Sequence, residues 1–156
     1  MSANPQPIND WTPVKGKLTK GYGIASGQAR HSPYPGGSIV LQTPHFLRRG
    51  LDIRRFFQGT LNISITPLSF RMKTPRWRFD NLEWCEGVSE TFSFSPCRLM
   101  VGWNTIEGLI YYPHPETKPD HFHDNSTLEV LAPFIGDLEE GAVIFLWLPS
   151  QEIEVV

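Results

Sequence analysis

Gly59-Thr60-Leu61-Asn62-Ile63 holds the residue types and spacing in this chain best suited to chemistry. It leads into an alternating run, Leu61 to Thr66, that reads as a β-strand. Leu61, Ile63 and Ile65 take one face, while Thr60, Asn62, Ser64 and Thr66 take the other. A threonine hydroxyl and an asparagine carbonyl then stand on one polar face, roughly 7 Å apart along the strand. Two neutral oxygens projecting from one rigid strand can hold a hard cation such as Mg²⁺, with phosphate and water completing its shell. The alternative is that both side chains simply face solvent.

A second candidate lies between Tyr111 and Asp124, where His114, His121 and His123 stand among Glu116, Asp120 and Asp124. In an extended chain His121 and His123 share a face, so both imidazoles could reach one metal. With Glu129 they form a loosely cupin-like pattern. The gap to Glu129 is long for that motif, and no later histidine completes the ligand set. The other reading is a proline-stiffened polar loop whose histidines are solvated or hydrogen-bonded. A substrate-facing loop stands between the two.

The elements that must position these residues are mostly strands. Val14 to Thr19 reads as a first strand, followed by a glycine loop, Gly21-Tyr22-Gly23-Ile24-Ala25-Ser26-Gly27. Prolines and glycines break the stretch from Arg30 to Gly37, so no helix follows the loop directly, which argues against a Rossmann turn. No Gly-Lys-Ser/Thr closes the loop, so it is not a Walker A motif. Ser38 to Gln42 reads as a second strand. Pro44 to Phe57 reads as one or two short helical turns carrying Arg48, Arg49, Arg54 and Arg55.

Further strands are expected at Arg76–Phe79, Thr91–Ser95 continuing past Pro96 to Val101, Glu107–Tyr112, Leu128–Ala132 and Ala142–Trp147. The fold class expected is all-β with one or two short helices, a single closed or nearly closed barrel of six to eight strands. Residues 1–12 read as a flexible tail and 13–156 as one domain.

The 156 residues suit a single domain with a real core, and 40% hydrophobic against 19% charged residues excludes a disordered chain. No apolar run approaches the ~20 residues of a membrane span, and the N-terminus does not resemble a secretory signal. Cys85 and Cys97 could face each other across a hairpin, but two ordinary thiols in a cytoplasmic protein are expected. Charge is unevenly spread. His45 to Arg78 carries eight cations against Asp52, and Glu107 to the end carries ten acids against Lys118. Such polarity can line an anion site, or the two halves can attract each other within one fold. Arg71, Lys73, Arg76, Trp77 and Arg78 mix basic and aromatic residues, but the slightly acidic total argues against nucleic acid. Trp84, Trp103 and Trp147 are expected in core or barrel-end positions.

Three segments in order resemble the CTP-dependent riboflavin kinases. They are Gly16-Lys17-Leu18 leading to Gly21–Gly27, then Gly59-Thr60-Leu61-Asn62-Ile63, then Leu128-Glu129-Val130-Leu131-Ala132-Pro133. The resemblance implies a cradle-loop β-barrel that transfers the γ-phosphate of CTP to riboflavin and makes FMN. It implies that Gly21, Tyr22, Gly23, Ile24, Ala25 and Ser26 wrap the nucleotide and that Thr60 and Asn62 hold Mg²⁺. Glu129 would be the catalytic carboxylate on the acceptor side, with His121 near the substrate. The chain also departs from the family. The Arg-Thr-His-type segment is replaced by Lys118 to His123, and the Leu-Arg pair after Ala-Pro is replaced by Phe134-Ile135-Gly136-Asp137. A non-catalytic nucleotide- or flavin-binding barrel of the same descent is therefore an alternative.

Overall fold

A computed structural model describes residues 10–20, 38–117 and 125–156. Nine strands and one α-helix make up the described elements: β1 (Trp11–Lys20), α1 (Ser38–Arg48), β2 (Leu61–Ser64), β3 (Phe70–Met72), β4 (Trp77–Cys85), β5 (Val88–Val101), β6 (Asn104–Pro113), β7 (Thr127–Leu131), β8 (Val143–Pro149) and β9 (Ile153–Val155). A 3-10 turn, Pro115–Thr117, follows β6. The main sheet is antiparallel, with strand order β4-β5-β6-β7-β2-β1-β8, and β8 pairs in turn with β5. The pairing therefore runs in a ring, β5-β6-β7-β2-β1-β8 and back to β5, with β4 alongside. β3 and β9 form a small sheet of their own.

The long strand β5 makes this ring possible. Its first half pairs with β4, from Val88↔Cys85 to Phe94↔Trp77. Its second half pairs with β8, from Arg98↔Trp147 to Met100↔Phe145. Pro96 sits at the changeover, where one side of the strand has no ladder for a proline to interrupt. Alternation along β5 divides its side chains between two cores. Cys97 and Leu99 point to the inner side of the ring, with Ile63, Ile110, Val130 and Ile144. Phe92 and Phe94 point outward beneath α1, around the fully buried Phe46, whose ring meets both edge-on at 5.0 and 4.9 Å.

The helix is the main departure from the sequence expectation. Ser38 to Gln42 is the start of α1 and not a strand. The buried positions Ile39, Gln42, Thr43 and Phe46 follow helical spacing. Two of the four are polar, so the apolar periodicity is broken, and Ile-Val-Leu imitates a β run. Gly50, at φ +97°, follows the helix, and Leu51 N–H returns to Phe46 O. The helix begins eleven residues after Gly27, so nothing contradicts the reading that no helix follows the glycine loop directly. The next strand, β2, runs antiparallel to β1, so this is not a Rossmann unit.

Other expectations shift in detail. β1 begins at Trp11, two residues inside the expected tail. The continuation of β5 past Pro96 holds, whereas β3 and β9 were not anticipated. Trp84 is buried, but Trp103 is 98% exposed at the β5–β6 turn and fills no core position. Cys85 and Cys97 are both free, and burial, helped by Glu107, pushes the Cys97 thiol far up. Among the described residues, no helix is long and apolar enough to cross a membrane. The charge asymmetry is partly spent within the fold: Arg71 pairs with Glu154, and Arg76 with Glu152 at 3.1 Å.

Two predictions follow from this packing. A Cβ at Gly108 would lie 2.9 Å from the Leu131 carbonyl oxygen and 2.7 Å from Leu99 Cδ1. Backbone on one side and a packed leucine on the other leave little room to yield. Gly108→Ala should cost about 1–3 kcal/mol in a denaturant melt; an unchanged midpoint would mean the β6–β7 spacing is not fixed as described. The Arg71 guanidinium holds the Glu154 carboxyl below its usual range. A lowered folded pKa gives stability above the ordinary carboxylate range that is lost as pH falls through the lowered value. Glu154→Gln should therefore lower the melting temperature slightly at neutral pH and converge with the parent in acid; a gap that stays constant with pH would refute this.

Candidate functional site

One register line crosses six strands and defines the site. Trp77 pairs with Phe94, Phe94 with Tyr111, Tyr111 with Glu129, Glu129 with Asn62 and Asn62 with Lys20. Directly opposed residues of an antiparallel pair point to the same side. Phe94 and Tyr111 belong to the core beneath α1, so Glu129 and Asn62 project from that same side. The line is apolar at the β4 end and polar at the β1 end.

Thr60, just before β2, is 3% exposed, and its hydroxyl donates to Glu129 Oε1 at 3.0 Å. The reading in which Thr60 faces solvent is therefore wrong, because β7 and the neighbouring core close over it. With its one proton committed to Glu129, the Thr60 oxygen offers only lone pairs in other directions. Asn62 is half-buried, yet its Oδ1 is shut off from solvent and no donor among the described residues reaches it. A buried acceptor left in this way costs about 1–3 kcal/mol. Thr60, Asn62 and Glu129 thus supply two neutral oxygens and a carboxylate on one face. That donor set suits a hard divalent ion such as Mg²⁺.

Polar groups from α1 frame the cluster. The buried Tyr111 hydroxyl donates to Gln42 Oε1 at 2.7 Å. The adjacent Thr43 hydroxyl lies 2.7 Å from Ile39 O and 3.0 Å from Gln58 Oε1. Burial foremost, then the negative charges of Glu129 and Glu90, push the Tyr111 phenol well above its usual range, so it stays a neutral donor. Sequence reading missed Gln42 and Tyr111. Gln42 sat in an apparent strand, and Tyr111 looked like one aromatic in a β run.

Of the remaining candidates, Gly21, Tyr22, Gly23, Ile24, Ala25 and Ser26 lie outside the described residues, as do His121 and His123. Lys20, the last described residue before Gly21, pairs with Asn62. Among the described residues, no three His, Cys, Asp or Glu side chains group closely enough to hold a metal.

His114 is described, and it is hydrogen-bonded on both sides. Nε2 lies 2.7 Å from Ser93 Oγ, and Nδ1 lies 3.1 Å from Glu116 Oε1. The line has the order of a nucleophile, base and orienting acid. Ser93, however, is 0% exposed on the inner side of β5, so no substrate carbonyl can approach it. The arrangement clasps the 3-10 turn to the ring, aided by Thr91 N–H donating to Thr117 Oγ1 at 3.0 Å.

No protein-family model matches this chain, and no curated protein is similar to it. The orphaned Asn62 oxygen makes its own prediction. Asn62→Val removes the desolvated acceptor and places a β-branched residue in a strand. It should raise stability by about 1 kcal/mol, or roughly 2–4 °C in melting temperature. A lower melting temperature would show that Oδ1 is satisfied within the folded chain.

Proposed function

We propose that this chain is a Mg²⁺-dependent phosphotransferase resembling the CTP-dependent riboflavin kinases. It would move the γ-phosphoryl group of a nucleoside triphosphate, CTP by resemblance, onto a hydroxyl of a small acceptor such as riboflavin, giving FMN and releasing the nucleoside diphosphate as the β–γ P–O bond breaks. The ring of paired strands supports the cradle-loop barrel that the same resemblance implies. The observation that carries the reading is the joint position of Thr60, Asn62 and Glu129, with the Asn62 Oδ1 buried and without a partner among the described residues.

Phosphoryl transfer asks mainly for positioning and charge neutralisation. Bound at Thr60 Oγ1 and Asn62 Oδ1, Mg²⁺ would neutralise charge on the phosphates. The chain's own residues would do the rest. Glu129 can accept several hydrogen bonds, so it can keep Thr60 in place and still receive the acceptor hydroxyl and its proton. Tyr111 remains protonated and bonded to Gln42, so it adds no negative charge beside the phosphates. The segment from Gly21 to Ser26 would supply backbone amides to the phosphate oxygens.

A second reading, a non-catalytic nucleotide- or flavin-binding barrel, is favoured by one observation. After Pro133 the chain exposes Asp137, Glu139 and Glu140 and carries no basic residue before β8. One assay separates the two readings. The protein is incubated with each nucleoside triphosphate, Mg²⁺ and riboflavin, and FMN is followed by chromatography. Mg²⁺-dependent FMN formation is expected, with Thr60→Ala and Asn62→Ala each lowering kcat/KM on the order of 100-fold. Binding without product would support the non-catalytic reading. Activity unchanged in the double variant would put the metal elsewhere.

A further inference from the structure

Strand β8 turns one apolar side into the ring and another out of it. Ile144, Leu146 and Leu148 belong to the inner core, so Val143, Phe145 and Trp147 project outward. Direct opposition carries that outer side across the neighbouring strands. Lys17 and Lys15 on β1 stand opposite Val143 and Phe145. Met100 and Arg98 on β5 stand opposite Phe145 and Trp147, and Glu107 on β6 stands opposite Arg98. The core beneath α1 takes the outer side of β4 and of the first half of β5. The outer side of β8 is left to solvent, with Val143 41% and Phe145 44% exposed. At the Val143 end, the β5–β6 turn holds out Trp103, which is 98% exposed. Continued by two residues, the β5–β8 register brings this turn level with Val143. An exposed apolar strip of this kind marks a contact surface.

We propose that this face is the interface of a homodimer, in which β8 of one copy lies along β8 of the other about a two-fold axis parallel to the strand. The charges select that rotation. An axis along β8 sets β1 of each copy over β5 and β6 of its partner. Lys17 then comes over the partner's Trp103, where an ammonium is attracted to the indole face. Lys15 comes over the partner's Met100, toward Glu107. Glu107 accepts from Arg98 within its own chain at 2.8 Å, so the β6 side presents no surplus positive charge to the arriving lysines. An axis across the strands would instead set β1 on β1 and bring lysine against lysine. The size of the face agrees. Four strands by the seven residues of β8 span roughly 19 by 24 Å, on the order of 450 Å² in projection. Side chains standing off the sheet raise the accessible area above the projection, toward the roughly 800 Å² per partner of an ordinary interface. That suits a dimer in exchange with its monomer rather than an obligate one. No residue of the oxygen cluster takes part in this face.

Sedimentation velocity across a concentration series tests the assignment. The parent should pass from monomer to dimer between about 1 μM and 1 mM. Phe145→Asp should remain monomeric throughout. Trp103→Ala should raise the dissociation constant roughly tenfold, and so should Lys15→Glu, which sets carboxylate toward carboxylate. Thermal melts at low concentration check the fold of each variant. Should Phe145→Asp fail to fold, Trp103→Ala decides, because a side chain so exposed supports nothing within its own chain. A parent that is still monomeric at the highest concentration overturns the dimer. Dimerisation that Trp103→Ala and Lys15→Glu leave unchanged overturns it too, since the interface is then elsewhere. A monomer that pellets with phosphatidylcholine–phosphatidylserine vesicles, and loses this with Phe145→Asp, gives the face to a lipid surface and likewise overturns the dimer.

Discussion

The pairing of β2 with β7 is the constraint on which the site depends. It sets Asn62 opposite Glu129 and brings the Thr60 hydroxyl onto the same carboxylate. A slip of one residue would turn Leu61 and Ile63 outward and send all three polar groups into the inner core. The apolar alternation of β2 therefore protects the chemistry indirectly. Leu61, Ile63 and Ile65 are buried at 1% exposure or less and leave the strand one acceptable register. Leu128 and Val130 flank Glu129 in the same way on β7. The three oxygens are thus placed by hydrophobic residues that never touch them.

The two cores explain why a polar cluster can survive so deep in a small chain. The inner core fills the ring and is almost wholly aliphatic, while the outer one lies under α1 and is built on Phe46, Phe79, Phe92 and Phe94. Along the register line the residues change from phenylalanine through Tyr111 to Glu129 and Asn62. The helix itself follows this gradient. It presents Ile39 and Phe46 to the aromatic side and Gln42 and Thr43 to the polar one. Buried polar groups that are bonded to one another specify one arrangement of helix on sheet, because any shift would strand several of them at once.

Much of this was legible in the sequence wherever alternation was clean. β1, β7 and β8 each carry an inner face of aliphatic residues at period two, β5 alternates Phe92 and Phe94 with serines, β6 is a β-rich run, and all five were found. The oxygen cluster was legible for the same reason, since Thr60 and Asn62 share a parity that their apolar neighbours do not. The helix was hidden because its buried stripe includes Gln42 and Thr43, so hydrophobicity alone lost the 3.6 period. β3 and β9 were hidden because each is three residues long and finds its partner some eighty positions away. Burial of Thr60 was also beyond reach. Strand parity assigns a side chain to a face, but it does not say whether another element covers that face.

The charge distribution narrows what the site can ask of its surroundings. Of the cations between His45 and Arg78, Arg71 and Arg76 are used against Glu154 and Glu152, and Arg54 and Arg78 against Asp52 and Asp80. The segment after Pro133 contributes acid and no base. Glu129 itself adds a negative charge beside Asn62. A polyphosphate approaching this face meets repulsion from fixed carboxylates unless a divalent ion comes with it. On the proposed reading, the metal would add positive charge at the oxygen cluster to that of Lys20, which pairs with Asn62, and backbone amides would supplement it. On that reading the metal and the phosphate would bind as a unit, because the Glu129 carboxylate would repel a phosphate that arrived without the ion.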